Sequence, residues 1–309
     1  TLIPRHEELI VFQHLPRTAG DSMRTHAFHN VSIDFTPLWE SWKSSPPKPY
    51  EWDPDVIHKA AAIKGYWSKN DIDNLRSFGR PLKVFTVLRH PIERALSFYD
   101  FAGHGTAEEF FDFESELFKN PENGERMYEH IASFANNGMT WQFGGQMHVY
   151  HRNISEAEAL ERAKRELDSM EFVGFYENLG ADFWHIHKTI FADTQVPLVY
   201  PLAFYLGSVI GLPRLRVAKY SKMVDQETLK KVLHTNQLDL ELYQYARKKF
   251  NQNYNLYDNY VAFTLHYLPM ITLAGLLLSG LLLFLVWCCC RCCKKNHCRT
   301  LNNNNKNII

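Results

Sequence analysis

Two short segments of this chain combine basic, hydroxyl and small residues, the combination that binds oxyanions. Residues 14–22 read His-Leu-Pro-Arg-Thr-Ala-Gly-Asp-Ser, and residues 88–97 read Leu-Arg-His-Pro-Ile-Glu-Arg-Ala-Leu-Ser. Arg17 and Arg89 supply fixed positive charges that form paired hydrogen bonds with phosphate- or sulfate-type groups. The two segments therefore predict two anion sites, suited to a ligand with two separated anionic groups.

Each segment stands between a predicted strand and a predicted helix. Residues 9–12 and 84–88 are apolar, β-branched or aromatic runs, typical of strands buried on both faces. Pro91 suits the first turn of the helix that follows the second run. Open α/β sheets bind ligands at the carboxyl ends of their strands, which is where Arg17 and Arg89 are expected.

The first segment is predicted to form a loop at a helix N-terminus, where backbone N–H groups and the helix dipole favour anions. It lacks the Lys-Ser/Thr ending of nucleotide-triphosphatase loops, so a P-loop kinase is the less favoured alternative. An ordinary strand–turn–helix without a ligand is the other alternative for this segment taken alone.

As a pair, the two segments resemble the cofactor signatures of Golgi carbohydrate sulfotransferases, most nearly the heparan sulfate 2-O- and 6-O-sulfotransferase group. The likeness covers roughly residues 7–255. It implies an α/β fold, a three-layer α/β/α arrangement with a parallel sheet like that of P-loop NTPases. It also implies 3′-phosphoadenosine-5′-phosphosulfate (PAPS) as sulfuryl donor, adenosine 3′,5′-bisphosphate as product, and no required metal.

The resemblance also assigns the cofactor-binding residues. The 3′-phosphate would be held by Arg89 and Ser97. The 5′-phosphosulfate would be held by the first loop, namely Arg17, Thr18, Ala19, Gly20, Asp21 and Ser22.

The chain departs from the family at two positions that matter for catalysis. Arg17 stands where the family usually has Lys, and it keeps the charge but cannot shed a proton. Tyr66 stands where the family commonly has a His that acts as base, and a Tyr with a pKa of about 10 is a poor base near neutral pH. Arg17 is a candidate catalytic residue, and His14 and His58 are alternative candidates for the base. The assignment of the base stays open between these two histidines and a Tyr66 with a perturbed pKa.

Composition narrows the partners. The 309 residues carry 34 basic and 34 acidic side chains, a net charge of zero that argues against a nucleic-acid-binding protein. A carbohydrate acceptor is the partner that the resemblance implies. Nothing in the pattern fixes the oligomeric state.

The C-terminal part predicts a membrane anchor. Residues 268–287 are apolar and uncharged, long enough to cross a bilayer, and basic residues follow at once. The positive-inside rule then places the C-terminus in the cytosol and the large domain in the lumen, which the resemblance implies is that of the Golgi. We therefore expect a lumenal domain over 1–258, a transmembrane helix over 266–288 and a cytosolic tail over 289–309.

The tail and the large domain each carry modification signals. All six cysteines lie within 288–298 beside basic residues, which suits S-palmitoylation. Asn30 and Asn153 begin sequons that accept N-glycans in a lumenal domain. The sequence thus predicts a single-pass membrane glycoprotein that sulfates a carbohydrate hydroxyl. The alternative is a non-catalytic PAPS- or glycan-binding membrane protein of the same fold.

Overall fold

The computed structural model describes residues 8–18, 32–34, 54–102, 106–112, 133–147, 152–179, 182, 185–186, 189–191, 220–222, 224–250 and 279–280. The chain divides into two compact units, residues 1–253 and residues 254–309. In the second unit, residues 279–280 are helical and exposed. The fold below is that of the first unit.

Five parallel strands form a single sheet in the order β2-β3-β1-β4-β5. The strands are β1 (Leu9–Gln13), β2 (Ser32–Asp34), β3 (Ala62–Gly65), β4 (Leu82–Leu88) and β5 (Phe172–Phe175). The strands expected at residues 9–12 and 84–88 are confirmed as the central pair β1 and β4. The predicted α/β class with a parallel sheet is therefore confirmed.

Eight α-helices accompany the sheet in the described ranges. They are α1 (Pro54–Lys59), α2 (Lys69–Arg76), α3 (Pro91–Ala102), α4 (Ala107–Phe110), α5 (Gly138–Phe143), α6 (Glu156–Asp168), α7 (Gln226–Thr235) and α8 (Gln237–Phe250). Polar side chains begin several of them. Ser68 and Asp71 form a reciprocal capping box at α2, and Asp225 accepts the backbone N–H of Thr228 at α7. These caps satisfy N–H groups that the first helical turn leaves without a partner.

The helices α2, α5, α6 and α8 cover one face of the sheet. Their apolar residues pack against Val11, Ile63 and Val84 in one core cluster. The β3–β4 and β4–β5 connections both run toward the β5 edge of the sheet. Because crossovers between parallel strands are right-handed, connections that run in the same direction place their helices on the same face. On the other face, Phe85 meets Phe191 edge-on at 6.1 Å between ring centroids. The predicted three-layer arrangement stays a prediction, because residues 19–31 lie outside the described ranges.

Strand order places a crevice between β1 and β4. From β1 the chain goes to β2 at one edge of the sheet, whereas from β4 it goes to β5 at the other. Such a reversal of direction opens a gap at the carboxyl ends of the two strands, where α/β sheets bind ligands. Arg89 follows β4 directly, and Arg17 comes four residues after the end of β1.

The predicted anchor falls almost entirely outside the described residues. Of the segment 266–288, the structure describes residues 279–280. No helix among the described residues is long and apolar enough to cross a membrane. The tail over 289–309 and Asn30 likewise lie outside the described ranges.

A fully buried ion pair joins α3 to α8. Arg94 donates through Nη2 to Asp239 Oδ2 at 3.1 Å and to the carbonyl of Phe134 at 2.8 Å, and both charged side chains are 0 % exposed. Asp239 also accepts the backbone N–H groups of Met139 and Thr140 and the Thr140 hydroxyl, at 2.7–3.1 Å. One carboxylate thereby fixes α3, which carries Ser97, against α5 and α8.

We expect Asp239→Asn to lower the free energy of unfolding by about 3–5 kcal/mol, because the Arg94 charge stays buried without its partner. Chemical denaturation of the full-length chain in detergent measures the loss. The matched control is Glu158→Gln, which breaks the exposed pair between Arg162 and Glu158 and should cost at most about 1 kcal/mol. Equal effects of the two substitutions would contradict a structural role for the buried pair.

Candidate active site

The chain turns sharply after β1 and presents Arg17 at the carboxyl edge of the sheet. The Thr18 hydroxyl donates to the carbonyl of Leu15 at 2.8 Å, and the Thr18 N–H points to the same carbonyl at 3.3 Å. Arg17 has a φ of 66°, in the left-handed region that side chains other than glycine adopt at a cost. Arg89 Nη1 donates to the carbonyl of Arg17 at 3.2 Å, which stabilises this conformation. The two predicted anion-binding segments are therefore in direct contact.

The guanidinium of Arg17 rests on α3. Its Nε donates to Ser97 Oγ at 3.2 Å, and its central carbon lies 4.7 Å from the centroid of the Phe101 ring. Ser97 and Phe101 are four residues apart, so both side chains point to the same side of the helix. Arg17 and Ser97, assigned from sequence to opposite ends of the cofactor, thus meet in one site.

Aromatic rings and carboxylates surround the Arg89 guanidinium. The ring centroids of Tyr176 and Tyr220 lie 4.6 and 5.5 Å from its central carbon. Burial lowers the pKa of Arg89, while the two tyrosines, Glu177 and Glu93 raise it. The side chain therefore remains a cation, held in place beside the crevice.

Glu93 and Glu177 also organise the backbone around Arg89. Glu177 accepts the N–H of His90 at 2.7 Å, and Glu93 accepts the N–H of Tyr220 at 2.6 Å. Tyr220 begins a 3₁₀ turn, Tyr220–Lys222, that lies more than a hundred residues later in the chain. Glu93 thus brings this distant turn to Arg89.

His14 is buried at the end of β1 beneath this cluster of charges. Its ring stacks on Phe12 at 5.3 Å and lies against Tyr66 at 4.7 Å between centroids, and it is 5 % exposed. Neither ring nitrogen has a hydrogen-bond partner among the described residues. Burial, together with the charges of Lys64 and Arg17, lowers the pKa of His14 to about 3. The imidazole of His14 is therefore neutral in this state.

Lys64 is a further residue of the site and lies outside the two segments that the sequence singled out. It lies on β3 opposite Phe12 and is only 3 % exposed. Its charge reaches His14, so it belongs to the same positive region as Arg17. The sequence alone does not distinguish this buried lysine from a solvated one. A strand that is buried on both faces lacks the alternation of apolar and polar residues that would show which side chains point inward. Three cations, Arg17, Lys64 and Arg89, therefore surround this edge of the sheet.

Tyr66 follows β3 at the carboxyl edge, half-buried over His14. The glycine before it is required by packing. A Cβ at Gly65 would approach Trp67 Cε2 to 2.5 Å, closer than real contacts allow. The chain direction at this turn thus holds Tyr66 next to His14.

His58 lies at the opposite edge of the sheet. It is exposed on α1, which precedes β3, and its carbonyl accepts from Arg80 Nη1 at 3.4 Å. Arg80 also binds the carbonyl of Glu8, just before β1. Because the strands are parallel, this is the amino edge, and the structure does not bring His58 together with Arg17.

The remaining predicted loop residues, Ala19, Gly20, Asp21 and Ser22, lie outside the described ranges. The described part of the site comprises His14, Arg17, Thr18, Lys64, Tyr66, Arg89 and Ser97. Three cations around a crevice favour a polyanion. No cluster of three or more His, Cys, Asp or Glu suited to a metal ion is found in the described part of the chain.

Comparison with known proteins identifies the family. A family model described as the sulfotransferase family matches residues 3–246, which include both predicted anion-binding segments. A search of curated proteins found no match. Among solved structures, the chain is similar to a mouse sulfotransferase, SULT7A1, complexed with PAP. The identity is 13 %, the alignment covers 82 % of this chain and 87 % of that one, and the TM-score is 0.36.

We expect His14→Asn to make stability less sensitive to acid. The pKa of His14 is lowered on folding, so its neutral form is favoured, and that stability is present above about pH 6.5 and is lost as the pH falls toward 3. Between pH 6.5 and 4.5 the native chain should lose about 2 kcal/mol more than the variant, since each pH unit is worth up to about 1.4 kcal/mol. Denaturation at several pH values measures the difference. The exposed His58→Asn variant should behave like the native chain, and an identical slope for His14→Asn would refute the burial effect.

Proposed function

The chain belongs to the sulfotransferase family, and from that premise we propose that it transfers the sulfuryl group of PAPS to a hydroxyl of a carbohydrate. Family membership supports sulfuryl transfer from a nucleotide donor. The observation that carries the assignment to this site is the contact of Arg17 with Ser97 and Arg89 at the β1–β4 crevice. The carbohydrate acceptor rests on the resemblance to the heparan sulfate 2-O- and 6-O-sulfotransferases.

Each end of the nucleotide has a candidate partner. Arg17 and Thr18, with residues 19–22, would hold the 5′-phosphosulfate, and Arg89 and Ser97 would hold the 3′-phosphate. The charges fit this ligand, because the described residues at the crevice supply cations from three different elements. Charge-assisted hydrogen bonds from guanidinium groups are the strong kind for such oxyanions.

The reaction needs one bond to form and one to break. The acceptor oxygen attacks sulfur, and the bond from sulfur to the bridging oxygen of the 5′-phosphate breaks, so adenosine 3′,5′-bisphosphate leaves with the electron pair. As in phosphoryl transfer, positioning and charge stabilisation dominate the catalysis. Arg17 and Lys64 would stabilise the negative charge that builds on the leaving and sulfuryl oxygens.

We propose that His14 is the general base that takes the proton from the acceptor hydroxyl. Of the two candidate histidines, it is the one that lies at this edge of the sheet. Its ring is neutral in the described state, since its pKa is about 3, and both nitrogens are without partners among the described residues. Lys64 and Arg17 contribute to that low pKa, and a bound polyanion would offset their charges and raise it. PAPS would thus make His14 a better base at the moment when one is needed. Tyr66, which covers His14, would have to admit the acceptor hydroxyl.

The proposed setting is the Golgi lumen, with a single C-terminal transmembrane helix over 266–288. The apolar run and the basic residues after it support this topology. Asn153 is exposed and lies three residues before α6 begins, which is compatible with an N-glycan at this position. A shift in mass on glycosidase treatment of protein from animal cells would support the lumenal orientation.

A non-catalytic PAPS- or glycan-binding protein is the second candidate. It is favoured by Tyr66 at the position of the family's histidine and by the low pKa of His14. Transfer of radiolabelled sulfate from PAPS to a panel of glycans separates the two candidates. Transfer to a glycan supports the proposal, whereas nucleotide binding without transfer to any acceptor supports the second candidate.

Arg89→Ala should weaken the binding of adenosine 3′,5′-bisphosphate by roughly ten- to a hundredfold. A charged hydrogen bond of this kind contributes about 1.5–3 kcal/mol. Binding of 5′-AMP, which has no 3′-phosphate, should change little. Calorimetry on the detergent-solubilised chain measures both, and an equal loss for the two nucleotides would show that Arg89 does not bind the 3′-phosphate.

His14→Ala should lower the rate of sulfate transfer by about a hundred- to ten-thousandfold, the usual contribution of a general base. Nucleotide affinity is measured in parallel, because His14 adjoins the loop. His58→Ala is the control and should retain full activity. If Tyr66→Phe abolishes transfer while His14→Ala does not, the base is Tyr66 and the assignment is wrong.

A further inference from the structure

Phe101 is an exposed aromatic residue at the edge of the proposed PAPS site. Among the described residues, the large hydrophobic side chains that are exposed are Phe101, at 48 %, and Leu233, at 40 %. Phe101 lies in the last turn of α3, one helical turn after Ser97. An exposed ring of this size has an apolar face in water, and the Arg17 guanidinium lies over it, 4.7 Å from the centroid.

The helix α3 therefore holds Arg17 through two different side chains. Ser97 Oγ accepts from Nε, and the Phe101 ring supports the guanidinium through a cation–π contact. In the proposed function the Ser97 hydroxyl binds the 3′-phosphate. Of these two contacts on α3, the Phe101 ring is then the one that stays with Arg17.

We propose that Phe101 is a positioning residue that orients the guanidinium of Arg17 toward the 5′-phosphosulfate of PAPS. The inference rests on the proposed function. A flat, weakly hydrated guanidinium stacks on an aromatic ring, whereas the compact and strongly hydrated ammonium of a lysine gains less from it. Phe101 thus makes this site specific for arginine at position 17.

The test is a double-mutant cycle between Phe101 and Arg17, read as the affinity of the full-length chain in detergent for adenosine 3′,5′-bisphosphate. Phe101→Leu should weaken binding by about two- to fivefold, the range of an exposed cation–π contact. Phe101→Tyr keeps an aromatic ring at this position, so this variant should bind the bisphosphate as tightly as the native chain does. In the Arg17→Lys background, Phe101→Leu should have no further effect.

Matched ligands and variants separate this role from general damage to the fold. Binding of 3′-AMP, which lacks the 5′-phosphate, should be unchanged in Phe101→Leu. Leu233→Ala, at the other exposed hydrophobic residue, should leave both affinities unchanged.

Four outcomes would overturn the inference. Equal losses from Phe101→Leu in the native chain and in the Arg17→Lys background would show that the ring does not act through Arg17. Unchanged nucleotide affinity with a raised KM for the acceptor would assign Phe101 to the acceptor instead. If the native chain does not bind the bisphosphate, both the proposed function and this inference are overturned. If the native chain binds it and Phe101→Leu leaves the affinity unchanged, this inference alone is overturned.

Discussion

The site depends on one constraint of the topology: the connections that leave the parallel strands β1 and β4 run toward opposite edges of the sheet. Parallel strands end at the same edge of the sheet, and neighbouring strands whose connections diverge leave a crevice between them. That arrangement brings residues 17 and 89 into contact, although the sequence separates them by more than seventy positions. The hydrogen bond from Arg89 to the carbonyl of Arg17 then ties the two turns together. Neither segment could form this site from its local structure alone.

The electrostatics of the site follow from the same geometry. Lys64 and Arg17 lie near His14 because β3 and β1 are neighbours, and their charges add to burial in keeping the imidazole neutral. The protein tolerates such a concentration of positive charge through nearby carboxylates and rings around Arg89. Farther from the crevice, Asp239 neutralises Arg94 within the core. A site for a polyanion requires fixed cations near the crevice. The buried charges beneath it must be paired, because an unpaired buried charge lowers stability.

Local signals in the sequence were enough for the central elements but not for their environment. The runs at residues 9–12 and 84–88 correctly predicted β1 and β4, and with them the positions of Arg17 and Arg89 after the two strands, because strands and turns of this kind are encoded locally. The start of α6 is also determined locally, since the Ser155 side chain accepts the Glu158 N–H and the Glu158 carboxylate pairs with Arg162 one turn later.

Long-range features were not accessible from the sequence. The low pKa of His14 comes from its burial in the folded chain and from the charge of Lys64, which strand pairing brings next to it. The position of His58 at the amino edge follows from the strand direction of β3, a short strand that the pattern did not reveal. The support of Arg17 by Phe101 depends on how α3 packs against the loop. In each case the missing information was a contact between residues far apart in the chain.

The two departures from the family can be weighed by what the chemistry demands. A phosphate that leaves as a dianion has a second pKa of about 6, so near neutral pH it needs charge stabilisation more than a proton. Arg17 can therefore replace a lysine without removing an essential proton donor, provided that its guanidinium is well placed. A general base contributes about a hundred- to ten-thousandfold, a modest part of the total acceleration that enzymes achieve. A tyrosine at position 66 is thus compatible with sulfuryl transfer as long as the cations at the crevice hold the donor in line with the acceptor.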